Sequence, residues 1–134
     1  MIETQKKVLI VEDDILLLLV QERMVKKFGY VVVGTACEGE AAYRMIKRYK
    51  PDVILMDINL EDDIKGTEVA QMIRQEGNET PIIFLSGEKN SKQVQKAKQL
   101  GFVDYLLKPV TPKKLRESLE RALNYEAQIN PYAA

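Results

Sequence analysis

The chain has 134 residues, enough for one domain with a hydrophobic core. Its 20 basic and 20 acidic residues cancel, so no global field favours direct nucleic-acid binding or an anionic membrane. Histidine is absent and Cys37 is the lone cysteine, which excludes imidazole chemistry within the chain and any internal disulfide.

Strand one is expected at about residues 6–11, where Val8-Leu9-Ile10-Val11 runs straight into Glu12-Asp13-Asp14. That layout is not a signal peptide. A helix follows at about 14–28, with Asp14 placed to cap it and a core stripe at Leu17, Val20, Met24, Val25 and Phe28. Ile15, Leu18 and Leu19 fall off that stripe, near the same end as the acids, and are expected to form a partner-docking patch or to broaden the buried face. The apolar run from Ile15 to Val20 is too short to span a bilayer. Gly29 marks the helix end.

Strand two (about 30–35) and a helix (about 38–49) lead to strand three at about 52–57. Its Val53-Ile54-Leu55-Met56-Asp57 is an apolar run that stops on a carboxylate, the signature of a strand buried on both faces. A helix at about 65–76 precedes strand four at about 81–85, which ends on Ser86-Gly87. The helix at about 90–100 carries only a thin apolar stripe (Val94, Ala97, Leu100) and reads as the loosest element. Gly101 caps it, strand five lies at about 103–107, and Thr111-Pro112 opens the last helix at about 111–125. Residues 1–125 are expected to form one domain, with 126–134 a tail or linker stub. Five strand–helix repeats imply an α/β, doubly wound parallel sheet with helices on both faces.

In such a sheet, strands one and three are neighbours, and ligands gather outside the carboxyl ends of the strands. Glu12, Asp13 and Asp57 then stand within a few ångströms of one another. Carboxylates this close repel unless a cation joins them, and an all-oxygen, partly hydrated site suits magnesium. Lys108, before Pro109, is placed to neutralise phosphoryl oxygens from the end of strand five, and a cis Lys108–Pro109 bond would aim it inward. Ser86 offers a hydroxyl to the same pocket.

Val11-Glu12-Asp13-Asp14, Met56-Asp57, Ser86-Gly87 and Asp104-Tyr105-Leu106-Leu107-Lys108-Pro109 occur in the order of the receiver domain of two-component response regulators, and residues 6–124 resemble that family. The resemblance implies a flavodoxin-like sheet of order 2-1-3-4-5. It implies that Asp57 accepts a phosphoryl group from a partner histidine kinase or histidine phosphotransfer protein. It implies Mg²⁺ held by Asp13, Asp57 and the backbone carbonyl of Asn59, with Glu12 acting through water. Lys108 would pair with the phosphoryl group, while Ser86 and Tyr105 would be the switch pair that reshapes the α4-β5-α5 surface. Members of this family are cytoplasmic, and the only catalysis implied is self-phosphorylation and self-dephosphorylation. Some positions depart from the common pattern. The loop Asn59 to Lys65 lacks a proline, Gly66 comes one residue late, Phe102 replaces a small residue, and Ser86 stands for the commoner threonine.

Asn59 and Glu88 flank Asp57 and Ser86, and are expected to orient a water that shortens the phosphorylated state. Other classes fit less well. An aspartyl-phosphate phosphatase of the haloacid-dehalogenase type needs a second Asp where Asn59 stands. A flavodoxin-like cofactor binder needs a phosphate loop after strand one, where acids stand instead. A DNA-binding regulator needs a further output domain. A receiver belonging to a hybrid kinase or phosphorelay remains a second reading of the same residues.

Overall fold

A computed structural model describes residues 5–60, 64–87, 92–101 and 104–124. Glu88, Phe102 and the tail 126–134, singled out above, lie outside the described residues. Five strands and five helices alternate: β1 Lys7–Val11, α1 Ile15–Lys27, β2 Val31–Ala36, α2 Gly39–Tyr49, β3 Val53–Asp57, α3 Gly66–Gln75, β4 Ile82–Ser86, α4 Lys92–Gln99, β5 Asp104–Leu107 and α5 Pro112–Leu123. The strands form one sheet in the order β2-β1-β3-β4-β5, with every pairing parallel. This is the expected doubly wound arrangement.

Period-two alternation along the central strands divides the core into two layers. Leu9, Val11, Ile54, Met56, Ile82 and Phe84 face α2, α3 and α4, meeting Ile46, Ile73 and Val94. Val8, Ile10, Val53, Leu55, Ile83 and Leu85 face α1 and α5, meeting Leu18, Val25, Leu115 and Leu119. Both faces of β3 are thereby buried, which is why its sequence is a continuous apolar run with no alternation. No described helix is long and apolar enough to cross a membrane.

Capping follows the local sequence. The Asp14 side chain accepts from Leu16 N and Leu17 N, and Thr111 accepts from Lys114 N with Pro112 in the first turn. Gly29 and Gly101 take φ of +97° and +69° just past their helices, where a side chain would be strained.

Helix α1 buries the expected Val25, with Met24 and Phe28 packed partly buried against the same layer, but its first turns are rotated from the expected stripe. Its buried residues are Leu18, Gln21 and Val25, spaced as one helical face. Val20 is 51% exposed, while Leu18 is only 5% exposed and belongs to the core, so it forms no part of a docking patch. Gln21 is the reason. It stands in the middle of the buried face, and a pattern built on apolar residues passes over it and places the stripe of the first turns one residue early, at Leu17 and Val20 in place of Leu18 and Gln21. That shift is about 100° of rotation around the helix. The exposed apolar residues are Ile15, Leu16, Leu19 and Val20. Leu16, the most exposed at 71%, had no place in the sequence expectation.

Candidate functional site

The carboxyl edge of the sheet gathers the polar residues that end its strands. Glu12 follows β1, Asp57 is the last residue of β3, Ser86 the last of β4, and Lys108 follows β5. The pairing Val11↔Met56 in β1 and β3 brings the acids of these two strands side by side. Carboxylate oxygens of Glu12, Asp13 and Asp57 lie within 4.8 Å of one another. Lys108 is held in register by its backbone N–H, which donates to Ser86 O at 2.8 Å, and its peptide bond to Pro109 is cis.

The Lys108 ammonium bridges two of the acids, 2.8 Å from Glu12 Oε1 and 2.9 Å from Asp57 Oδ2. Asn59 N donates to the other Asp57 oxygen, Oδ1, at 3.0 Å. Asp57 is therefore gripped at both oxygens while only 2% exposed. Glu12, 1% exposed, accepts from Asp14 N at 3.2 Å and from Gln21 Nε2 at 3.1 Å as well as from Lys108. An open cavity of 340 Å³ lies over these groups, walled by Asp13, Asn59, Gly87 and, from α1, Leu17.

Charge in the cluster is unevenly shared. Burial, and beyond it the facing Glu12 carboxyl, pushes Asp57 up to about 7 against the pull of Lys108. Burial works against ionised Glu12 too, but its bonds to Asp57, Lys108 and the Asp14 backbone hold it below the usual carboxylate range. Burial opposes charge on Lys108, and the two carboxylates more than offset this, holding its pKa above the ordinary lysine value. The two shifts run in opposite directions, so Asp57 holds a proton more tightly than a free aspartate and Glu12 gives one up more readily than a free glutamate.

The donor set fits a small hard cation. Three carboxylates converge from two adjacent strand ends, one of them partly exposed, and oxygen ligands with room for water are what magnesium requires. Such an ion would take the place of the proton on Asp57.

Ser86 is fully buried at the end of β4, and Gly87 beside it leaves the cavity open. The Tyr105 ring packs against the core layer beneath α2, α3 and α4. Its buried hydroxyl has no hydrogen-bond partner among the described residues. Ser86 and Tyr105 pair with each other in register only diagonally, through Phe84↔Tyr105 and Ser86↔Leu107 on neighbouring strands. Ile15 and Leu19 are exposed in the first turns of α1, while Leu18 is buried in the core layer with Val25 and Leu115.

Two contributors escaped the sequence reading. Gln21 reaches Glu12 from the buried face of α1; a lone polar residue at i+3 from Leu18 was its only signal. Gly66 abuts the main chain of Asp57, where a Cβ would stand 2.1 Å from the Asp57 carbonyl oxygen. Its late position in the loop was visible, and its close approach was not.

Residues 8–120 match the model of the response regulator receiver domain. The probable C4-dicarboxylate response regulator DctR of Bacillus subtilis is 32% identical over 124 residues, covering 92% of this chain and 54% of that protein. The transcriptional regulatory protein CitT of Halalkalibacterium halodurans is 38% identical over 117 residues, covering 85% of this chain and 50% of that protein. The chain therefore spans about half the length of these curated relatives. Among solved structures, the signal receiver domain of a modulated diguanylate cyclase from Desulfovibrio desulfuricans superposes with a TM-score of 0.86 at 32% identity, covering 95% of this chain and 100% of that one. With its sheet order, its strand-end acids and lysine, and a family match over nearly its whole described length, the chain belongs to the response regulator receiver domain family, whose members are phosphorylation-based signalling switches.

Proposed function

We propose that Asp57 accepts a phosphoryl group from a phosphohistidine on a partner kinase or phosphotransfer protein. The single observation that carries this reading is the Lys108 ammonium bridging Asp57 and Glu12 beneath an open cavity. One oxygen of the Asp57 carboxylate forms the new bond to phosphorus as the phosphorus–nitrogen bond breaks, its electron pair staying on that nitrogen, and the partner imidazole, already protonated at its other nitrogen, leaves neutral. Asp13, Asp57 and the Asn59 carbonyl would hold Mg²⁺, with Glu12 behind a water. When bound, the ion neutralises charge on the transferring group and holds it in line. Asn59 N–H fixes the rotation of the Asp57 carboxylate, and Lys108 moves from its carboxylates onto a phosphoryl oxygen.

Ser86 then bonds a second phosphoryl oxygen, and Tyr105 responds through the adjoining strand, altering the surface of α4, β5 and α5 read by a partner or output domain. The exposed apolar residues Ile15, Leu16, Leu19 and Val20 are the docking surface for the donor. Asn59 orients the water that ends the signal. The chain is a cytoplasmic switch with no turnover of its own beyond phosphorylating and dephosphorylating itself. The test is intact mass after incubation with acetyl phosphate and Mg²⁺. One phosphate adduct that disappears in Asp57→Asn supports the reading, and no adduct on the parent chain overturns it.

A further inference from the structure

We infer that Gln21 is a positioning residue for the phosphotransfer site: it holds Glu12 in place while Lys108 is engaged elsewhere. The inference rests on the function proposed above and concerns a residue of α1 outside the constellation of acids, hydroxyl and lysine.

Gln21 is 5% exposed on a helix face otherwise built from Leu18 and Val25. A buried amide in such a face is costly unless satisfied. Its partner is Glu12, whose Oε1 accepts from Gln21 Nε2 at 3.1 Å. A carboxylate has no hydrogen to give, so the amide must present its NH₂ side and the pairing has one polarity.

The donors to Glu12 differ in permanence. Lys108 contacts both oxygens, Oε1 at 2.8 Å and Oε2 at 3.1 Å. That same ammonium is the group that turns to the phosphoryl oxygens during transfer. Once it leaves, Asp14 N remains on Oε2 and Gln21 on Oε1. Glu12 extends one methylene further than an aspartate, with an extra rotatable bond, so an anchor at its far oxygen matters more. Gln21 supplies that anchor from a helix whose backbone is fixed by the Asp14 cap and by Leu18 and Val25 in the core. Groups that hold a metal's direct ligands from behind change metal affinity by about 10–100-fold when removed, and Gln21, acting on a carboxylate that would reach the ion through water, belongs at the low end of that range.

The test uses Gln21→Met, which has nearly the same volume and no donor. Gln21→Leu, matching its neighbours Leu18 and Val25, serves equally should methionine fit poorly. Magnesium affinity is measured by calorimetry, and the rate of phosphorylation by acetyl phosphate is followed across a magnesium titration. The expected result is roughly tenfold weaker Mg²⁺ binding. The magnesium half-saturation of the phosphorylation rate should rise by the same factor, with the rate at saturating magnesium little changed. In a Glu12→Ala background the same substitution should have no further effect, because the amide acts through Glu12. A variant that binds Mg²⁺ as tightly as the parent chain overturns the inference alone. So does an equal loss in the Glu12→Ala background. A parent chain that neither binds Mg²⁺ nor accepts phosphate overturns the proposed function, and this inference with it.

Discussion

The α-carbon of Gly66 packs so closely on the main chain of Asp57 that a Cβ there would stand 2.1 Å from the Asp57 carbonyl oxygen. Gly66 N also donates to Ile58 O at 3.2 Å, so the start of α3 is pinned to the strand end that carries Asp57. Gly66→Ala should therefore destabilise the fold by about 3 kcal/mol, since backbone and not a flexible side chain must yield. It should also slow phosphorylation by acetyl phosphate, because the shift falls on Asp57. Denaturant unfolding and the intact-mass time course check both. A variant of parental stability would mean that the loop relaxes freely.

The elevated pKa of Asp57, about 7, sets a stability profile with a definite sign. An unfolded aspartate loses its proton near about 3.9. Between about pH 4 and about 7 the folded chain therefore holds a proton that the unfolded chain has released. The contribution of Asp57 to stability is greatest at the acid end of that window and falls as pH rises through it, opposite in sign to that of Glu12, whose pKa is lowered. Asp57→Asn removes this dependence and leaves Lys108 paired with Glu12. Without magnesium, the variant should be more stable than the parent at pH 8 by roughly 1–3 kcal/mol. The gain should vanish near pH 4. Urea unfolding at the two pH values decides it, and an equal difference at both would show that the gain is not protonic.

Magnesium held by Asp57 would have to displace that same proton. Its affinity should rise about tenfold per pH unit below about 7 and level off above it, because each ion bound releases one proton from Asp57. Calorimetry in buffers of different ionisation heat counts the protons directly. An affinity flat from pH 5.5 to 8 would place the ion away from Asp57.

Much of this arrangement was legible in the residues. Strand β3 is buried on both faces, so its sequence had to be continuously apolar, and Asp57 stood out as the break in the run. The strand-end acids and Lys108 could be placed because parallel strands share one carboxyl edge. Helix α1 was harder. With six leucine, isoleucine or valine residues before Gln21 on all sides of the helix, hydrophobicity had no contrast to fix the phase. The fold fixed it instead, through a hydrogen bond to Glu12 that is local in space and nine residues away in sequence. The close approach of Gly66 to Asp57 has no periodic signature either, being a distance between a loop and a strand end.

The corrected phase of α1 separates two leucines that look alike in sequence. Leu18→Glu buries a charge in the layer with Val25, Leu115 and Leu119 and should cost about 3 kcal/mol or more. Leu16→Glu, at a site 71% exposed, should leave the melting temperature nearly unchanged. If the exposed apolar residues of α1 receive the donor, Leu16→Glu should slow transfer from a phosphohistidine protein several-fold. Phosphorylation by acetyl phosphate, which needs no docking surface, should proceed at the parental rate. Equal slowing with both donors would place the effect at the site itself.

Helix α4 is tied to α3 by polar bonds at both ends. Near its start Gln93 pairs with the buried Thr67 hydroxyl, one residue beyond Gly66. At its end the Arg74 guanidinium donates to Leu100 O and Gly101 O, both at 3.3 Å, while a third bond to Asn78 O at 3.0 Å fixes the side chain on α3. A cation at a helix C-terminus also complements the helix dipole. Within α4 only Val94 and Ala97 are buried, so these tethers carry a large share of its attachment. Arg74→Ala should loosen α4 by about 1.4 kcal/mol, a tenfold faster exchange of its amide hydrogens. Exchange in β1 and β3 should stay near the parental rate. Thr67→Val should loosen the first turn of α4 more than the last, the reverse of Arg74→Ala. Hydrogen exchange read peptide by peptide separates the two patterns, and acceleration spread evenly over the whole chain would show that Arg74 supports the fold at large and not α4.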